Sequence, residues 1–196
     1  MSQVFLSPLE TTNFLINSGN KKGNENFFKI LSGGILAGIF IGMAGIGQLT
    51  ISYSFLSEPG FAKMAGAFVF PIGLMLCVFM GASLFTGNSL ISISVLANTL
   101  SFYKLFRNLL IVWTGNFIGG IFTAFISYFS GIFSSQDIQN FIISSAVSKI
   151  NLSFTQALFS GFLCNMLVAA GVIMAMSSSD AIGKIFSCWF PIMLLF

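Results

Sequence analysis

A run of 40 residues without a charged side chain lies between Lys63 and Lys104 and restricts the chain to a membrane fold. The hydrocarbon core of a bilayer is about 30 Å thick and is crossed by roughly 20 helical residues, so the run is too long for one simple span. The polar pentapeptide LFTGN, at 84–88, divides it. The sequence therefore predicts two apolar helical stretches on either side of a polar interruption.

The pentapeptide has the composition of a break in a helix. Gly87 accepts positive φ, and the Asn88 side chain can satisfy backbone groups that a break sets free, so we expect non-helical backbone at 84–88. Irregular backbone at membrane depth is tolerated only where protein or a water-filled cavity covers it. A broken helix that lines a path indicates a channel or a transporter.

Composition supports an all-α integral membrane protein. The chain is 56% hydrophobic and 7% charged, whereas a soluble domain carries about 25% charged residues. It has no histidine, and its three cysteines lie in apolar stretches without metal or redox spacing. No nucleophile–base pair or phosphate-binding loop is recognisable. We therefore expect no enzyme activity, no metal and no cofactor, and we attribute the net charge of +3 to membrane topology rather than to nucleic-acid binding.

The apolar stretches divide the chain into a tail and a transmembrane domain. We expect residues 1–28 to form an N-terminal tail and residues 29–196 to form the membrane domain. Within the tail, residues 5–16 are compatible with a short interfacial helix, which Pro8 would keep from being long, or with a solvated segment. The predicted spans are 30–52, the broken segment 62–102, 109–133, 154–176, and a fifth apolar stretch after a loop at 177–184.

Two groups of glycines predict close helix packing. The first span carries Gly34, Gly38 and Gly42 at four-residue intervals, and the span at 109–133 carries Gly115, Gly119 and Gly120. Small residues at this spacing leave one helix face nearly bare, which allows another membrane helix to approach closely.

Two topologies are compatible with these spans. If 62–102 crosses once as a broken helix, one side of the membrane holds six of the eight basic residues and the other side holds Lys63 and Lys149. If it crosses twice, each side holds four. Because basic residues concentrate on the cytoplasmic side, the single crossing is favoured, with the N-terminus in the cytoplasm of a multi-pass plasma-membrane protein.

A short repeat suggests that the fold has two related halves. The tripeptide FPI occurs at 70–72 and again at 190–192, at equivalent places after a glycine-bearing span. With three spans in each half, the second half would be inverted relative to the first. The counterpart of the 84–88 break would then lie beyond Phe196. We expect about four and a half of six spans to be present and the chain to be a C-terminally truncated form.

Five segments carry a resemblance to a known family. They are 33–45, FPIGL at 70–74, GASLFTGN at 81–88, GNFIGG at 115–120 and GFLCNMLV at 161–168. Together, and in this order, they resemble the formate/nitrite transporter family, which includes channels for formate, nitrite, lactate and hydrosulfide. The similarity covers nearly everything except the N-terminal tail.

The resemblance implies an aquaporin-like bundle of two inverted three-helix repeats with a broken second helix, assembled as a homopentamer with one pore per protomer. It implies that small monovalent anions of weak acids are the substrates, and it leaves proton coupling of transport open. It assigns seven residues to the pore or substrate pathway: Phe70, Leu74, Leu84, Phe85, Thr86, Lys149 and Asn165.

Each assignment has a structural alternative that the sequence leaves open. The Leu and Phe side chains would face lipid or neighbouring helices in most membrane proteins. Thr86 would also suit a helix cap, and Lys149 would also suit an interfacial lysine that extends to the headgroups. Asn165 lies mid-span, where an unpaired amide is costly, so a hydrogen bond between helices is its alternative.

One departure separates the chain from the family pattern. The family carries a histidine on a second break in the fifth span, facing the threonine, whereas this sequence contains no histidine. The function predicted from the sequence is a small-anion channel or transporter. Its alternative is a truncated membrane remnant that does not transport.

Overall fold

The computed structural model describes residues 5–195, and this part of the chain is helical almost throughout. The α-helices are α1 (Pro8–Gly23), α2 (Phe27–Ser54), α3 (Pro59–Val69), α4 (Ile72–Met80), α5 (Phe85–Asn88), α6 (Ser92–Leu96), α7 (Phe102–Phe129), α8 (Gln136–Ile150), α9 (Phe154–Ser177) and α10 (Ala181–Met193). A 3-10 turn at Ser89–Ile91 joins α5 to α6. The prediction of an all-α fold is confirmed.

Four segments of the described chain are long and apolar enough to cross a bilayer. They are Phe27–Ser54, Pro59–Met80, Phe102–Phe129 and Phe154–Ser177, with shorter apolar helical segments at Phe85–Leu96 and Ala181–Met193. The predicted spans are thus present, although α2 and α7 begin three and seven residues earlier than the apolar patterns indicated. Lys29 in α2 and Lys104 and Arg107 in α7 interrupt the apolar pattern and had hidden these first turns.

Helices α2 and α7 pack in parallel along their glycines. A Cβ atom on Gly115 would lie 2.9 Å from the Cα of Gly34, and one on Gly119 would lie 2.9 Å from the Cα of Gly38. Gly34 faces Gly115, and Gly38, four residues later, faces Gly119, four residues later. The two helices therefore run in the same direction. The close-packing prediction is confirmed for these four glycines and for Gly42, where a Cβ would lie 2.8 Å from the Thr123 Cβ. Among the described residues of this chain, no atom lies within 4 Å of a Cβ built on Gly120.

The break in the second span lies earlier than the sequence indicated. Non-helical backbone occupies 81–84, where Gly81 ends α4 in the left-handed conformation with φ 69°. The expectation that 84–88 is non-helical is wrong, because Phe85–Asn88 forms the first turn of the returning helix. Gly81 rather than Gly87 supplies the positive φ, and a neighbouring helix satisfies the freed backbone groups, as described below.

The broken segment crosses the membrane once. Because α2 and α7 are parallel, the connection between them must return the chain to the face at which α2 begins. At that face Lys104 Nζ donates to Asn24 Oδ1 at 2.5 Å, and Lys22 and Lys184 line one cavity. Lys63, beside the far end of α2, lies at the opposite face.

The N-terminal segment is more ordered than predicted. Helix α1 has 16 residues and begins with a capping box in which the Ser7 and Glu10 side chains each accept a backbone N–H at the other residue. Pro8 occupies the first turn, where its missing N–H is not needed, so it starts the helix instead of limiting it. Ser94 Oγ donates to the Ile16 carbonyl at 2.9 Å. The solvated-tail alternative is wrong for this segment.

A second packing unit joins α4, α9 and α10. Its buried side chains are Leu74, Met75, Val168, Val172, Ala175, Cys188 and Ile192. Pro191, in the second copy of FPI, lies inside α10, whereas Pro71 lies at the junction of α3 and α4. The polar connection at 134–153 contains α8, which ends close to Lys149.

Candidate functional site

Two cavities meet at a pair of leucines beside the broken helix. The first, which we call the vestibule, has a volume of about 270 Å3 and is lined by residues of α1, α4, α9 and α10. The second, the chamber, has a volume of about 160 Å3. Leu74 and Leu84 line both. These two side chains therefore lie where the two cavities adjoin.

The vestibule carries positive charge. Lys22 of α1 and Lys184 of α10 both line it, together with Asn88 at its floor. Burial lowers the pKa of the Lys22 ammonium from its usual value, and the nearby Glu25 carboxylate opposes this lowering. A partly desolvated cation of this kind attracts anions more strongly than an exposed lysine does.

A ring of hydrogen bonds fixes Lys22. Its Nζ donates to Asn88 Oδ1 at 2.8 Å, Asn88 Nδ2 donates to Asn108 Oδ1 at 2.9 Å, and Asn108 Nδ2 donates to the Lys22 carbonyl at 3.0 Å. Asn88 and Asn108 are 1% and 0% exposed. Three separate elements, α1, α5 and α7, thus hold one ammonium group at the wall of the vestibule.

The chamber is almost entirely apolar. Its lining residues are Ile41, Phe70, Leu74, Leu84, Thr86, Cys164, Val168, Ile192 and Leu195. The Thr86 hydroxyl is buried and has no hydrogen-bond partner among the described residues. A buried hydroxyl without a partner is costly, so this oxygen offers a hydrogen bond to a molecule that enters the chamber.

Asn116 of α7 holds the break in position. Its Nδ2 donates to the carbonyls of Gly34 and Ser83 at 2.8 and 2.9 Å, and its Oδ1 accepts the backbone N–H of Phe85 at 2.9 Å. Ser83 N also donates to the Gly33 carbonyl at 3.0 Å. The freed backbone groups of the break are therefore satisfied by α2 and α7, whereas Asn88, which was expected to do this, bonds to Lys22 and Asn108.

Four of the seven residues assigned from the sequence line one cavity. Phe70, Leu74, Leu84 and Thr86 all face the chamber. Phe70 lies one helical turn before Leu74 and thus farther from the vestibule. The alternative that Thr86 caps a helix is wrong, because Leu84 occupies the N-cap of α5 and no side-chain cap is formed there.

The other three assigned residues, Phe85, Lys149 and Asn165, line neither cavity. The side chain of Phe85 is 39% exposed and lines neither cavity. Asn165 Nδ2 donates to Ser89 Oγ at 3.3 Å, which is the hydrogen bond between helices that was its alternative. Ser89 Oγ in turn donates to the Thr86 carbonyl at 2.6 Å, so Asn165 supports the turn that presents Thr86.

Lys149 lies at the face of the protein opposite to the vestibule. It is exposed in the last turn of α8, five residues before Phe154, the start of α9, which is the helix that contributes Cys164 to the chamber. This position is compatible with an anion-attracting lysine at the outer mouth.

Local sequence patterns do not assign Lys22, Asn88 or Asn108 to these roles. Lys22 is one of three lysines in a polar segment, and nothing in the local pattern shows that it turns inward. Asn108 lies one residue before the span predicted at 109–133, and only the earlier start of α7 places its amide inside a membrane helix, where an amide needs a partner.

Comparison with known proteins agrees with this geometry. Residues 9–196 match the family described as formate/nitrite transporter. This protein belongs to the formate/nitrite transporter family. Among its relatives in that family is the formate channel FocA of Haemophilus influenzae, 32% identical over 195 residues, which cover 98% of this chain and 69% of that channel.

Solved structures show the same fold. A pentameric formate channel with formate bound has a TM-score of 0.77 and 28% identity over 86% of this chain and 68% of that chain. An ion channel of the formate/nitrite transporter family has a TM-score of 0.86 over 95% of this chain and 76% of that chain; at 23% identity it supports the fold alone. The helices described above are thus the family's channel architecture.

Proposed function

We propose that this protein conducts small monovalent anions of weak acids, such as formate, nitrite or hydrosulfide, through the path from vestibule to chamber. The observation that carries the proposal is the partnerless Thr86 hydroxyl in an apolar chamber, separated by Leu74 and Leu84 from a lysine-lined vestibule. The relatives named formate channel support the substrate class.

The vestibule would concentrate the substrate. Lys22 and Lys184 supply positive charge at the wall of a cleft, and clefts lined by one sign of charge raise the local concentration of the opposite ion. Phosphate or sulfate would be attracted as well, so the lysines alone do not provide selectivity for monovalent weak acids.

Selectivity would arise at the leucine constriction. A bare anion loses its hydration between Leu74 and Leu84, and an isolated charge in an apolar environment is strongly disfavoured. The same environment raises the pKa of the passing anion, which favours its protonated form. A weak acid can therefore cross as a neutral molecule, and Thr86 would then provide a hydrogen bond on the chamber side.

The remaining assigned residues take supporting roles in this proposal. Lys149 attracts anions at the outer mouth, and Phe70 forms an apolar second gate one turn beyond Leu74. Asn165 positions Thr86 through Ser89. Phe85 keeps the role beside Leu84 that the family resemblance implies, although its ring lines neither cavity.

We further propose a homopentamer in the plasma membrane with the N-terminus in the cytoplasm. The solved relative that is described as a pentameric formate channel supports the oligomer. Six of the eight basic residues lie at the membrane face where α1 is located. They support the orientation, because positive charge concentrates on the cytoplasmic side. The proposal includes no enzymatic step and no cofactor.

Flux into proteoliposomes tests the proposed function. The protein, expressed as its gene encodes it, is reconstituted and the entry of labelled formate is followed between acidic and neutral pH. We expect flux above that of protein-free vesicles, rising as pH falls because more of the substrate is protonated at the constriction. Absence of flux for formate, nitrite and hydrosulfide alike at every pH would overturn the proposal.

Replacing Lys149 with Ala is expected to reduce formate uptake about two- to five-fold at low substrate concentration and not at saturation. An exposed cation contributes about 1 kcal/mol of attraction at close range in water, and saturation removes the benefit of a higher local concentration. The measurement is initial uptake rate against formate concentration. Lys63→Ala, which removes an exposed lysine from the same membrane face, is the control. An equal loss of uptake in both variants, or a loss of uptake at saturating formate in Lys149→Ala, would contradict the role of Lys149.

A further inference from the structure

A cluster of basic side chains surrounds the turn that joins α1 to α2. Lys29 Nζ forms an ion pair with Glu25 at 2.7 Å. Lys104 Nζ donates to Asn24 Oδ1 at 2.5 Å, and Arg107 Nη1 donates to the Glu25 carbonyl at 3.2 Å. Two helices that are distant in sequence thus place three cations around one turn and one carboxylate. We call these cations the basic cluster.

The surroundings of the basic cluster are aromatic and exposed. The parallel packing of α2 and α7 brings their first turns to the same level, and both turns begin with aromatic residues. Five rings are 47–79% exposed: Phe27, Phe28, Phe102, Tyr103 and Phe106. Aromatic side chains beside cations at the ends of membrane helices are typical of the headgroup level of a bilayer.

We propose that the basic cluster and its aromatic rim bind the headgroup of an anionic phospholipid such as phosphatidylglycerol. The inference does not depend on the proposed transport function. Its first support is charge: three cations face one carboxylate, and the Lys29 side chain is 60% exposed although it is paired with Glu25. The cluster therefore retains positive charge available to a phosphate group.

The donor chemistry fits a phosphate diester. The guanidinium of Arg107 has five N–H donors, of which the Glu25 carbonyl takes one, and planar guanidinium groups suit pairs of phosphate oxygens. Lys104 adds a compact charge on a flexible stem. The two groups lie one turn apart on α7 and converge on the same turn of the chain.

The aromatic rim distinguishes a lipid from a soluble anion. A free phosphate ion gains nothing from exposed phenyl rings, whereas the acyl chains of a lipid would cover them. The rings at the first turns of α2 and α7 lie where the apolar spans begin, so a headgroup held at the basic cluster would direct its chains along these helices. We therefore assign the site to a membrane lipid.

Native mass spectrometry of the detergent-purified protein tests the assignment. The protein is incubated with equal amounts of phosphatidylglycerol and phosphatidylcholine of matched acyl chains, and bound lipid is counted. Because each lysine or arginine near an anionic surface strengthens attraction about five-fold, we expect phosphatidylglycerol to be preferred, and Lys104→Gln to lower its apparent affinity about five-fold. Lys63→Gln, which removes an exposed cation from the opposite face, is expected to leave the affinity unchanged.

Three results would overturn the proposal. They are equal binding of the two lipids, an equal loss of affinity in Lys104→Gln and Lys63→Gln, and full competition by millimolar inorganic phosphate, which would indicate a site for free anions. Should Lys104→Gln fail to fold, Lys29→Gln serves in its place. That variant removes an exposed cation and retains the helix start, in which Asn26 Oδ1 accepts the backbone N–H of Lys29.

Discussion

Replacing Thr86 with Val is expected to lower formate flux about ten-fold and to leave folding and assembly intact. Valine has nearly the shape of threonine but lacks the hydroxyl, which is buried in the chamber without a hydrogen-bond partner among residues 5–195. A hydrogen bond to a permeating molecule contributes about 1 kcal/mol or more, and 1.36 kcal/mol corresponds to a ten-fold rate change. Because that hydroxyl bonds to no described residue, its removal breaks no bond within the described protein.

Two further variants make the Thr86 experiment decisive. Thr86→Ser keeps a hydroxyl and should retain most of the flux. Thr114→Val removes a hydroxyl that donates to the Leu110 carbonyl of its own helix at 3.0 Å, away from both cavities, and should have little effect. Unchanged flux in Thr86→Val, or equal losses in Thr86→Val and Thr114→Val, would remove Thr86 from the pathway.

The parts of this fold that follow from local pattern were predictable from the sequence. Long apolar stretches locate the spans, because membrane helices must satisfy their own backbone groups and need a minimum length. Glycines at four-residue spacing located the contact between α2 and α7, since the spacing itself brings them to one face. The basic-residue distribution correctly favoured a single crossing of the broken segment.

What the sequence could not predict depends on partners distant in the chain. The break was expected at LFTGN, but its non-helical part lies at 81–84 because Asn116 and Gly33 satisfy the backbone groups there. The Gly87–Asn88 pair favoured a turn at Gly87, but contacts with the neighbouring helices place the non-helical backbone after Gly81 instead. The length of α1 was missed for a related reason: its packing against α6 and the 3-10 turn stabilises a helix that composition alone leaves undecided.

Only part of the candidate site could be predicted from the sequence, again because some of its residues come from elements that are distant in the chain. Four of the residues lie on one broken segment, so a resemblance to the family's motifs identifies all of them at once: Phe70, Leu74, Leu84 and Thr86. Lys22 and Asn108 come from α1 and α7 and meet Asn88 only in the folded chain. A polar ring assembled from three elements has no local signature.

The largest expected effect on stability comes from Gly119→Ala. A Cβ atom at this position would collide with the backbone of α2, at the Ile35 carbonyl oxygen and at 2.8 Å from the Ile39 nitrogen. A backbone cannot yield as a flexible side chain does, so α2 and α7 must separate. Overpacking costs about 1–3 kcal/mol, and we expect the upper end of that range with a lower yield of monodisperse protein.

Gly120→Ala is the matched control, because it makes the same change one residue later in the same helix. No atom lies within 4 Å of a Cβ at Gly120, and alanine in a helix is favoured over glycine by about 0.5–1 kcal/mol. The thermal unfolding midpoint in detergent should therefore fall for Gly119→Ala and stay equal or rise for Gly120→Ala. Equal midpoints for the two variants would mean that α2 and α7 are farther apart than this geometry indicates. A lower midpoint in both variants would mean that another packing partner, such as a second copy of the chain, lies against Gly120.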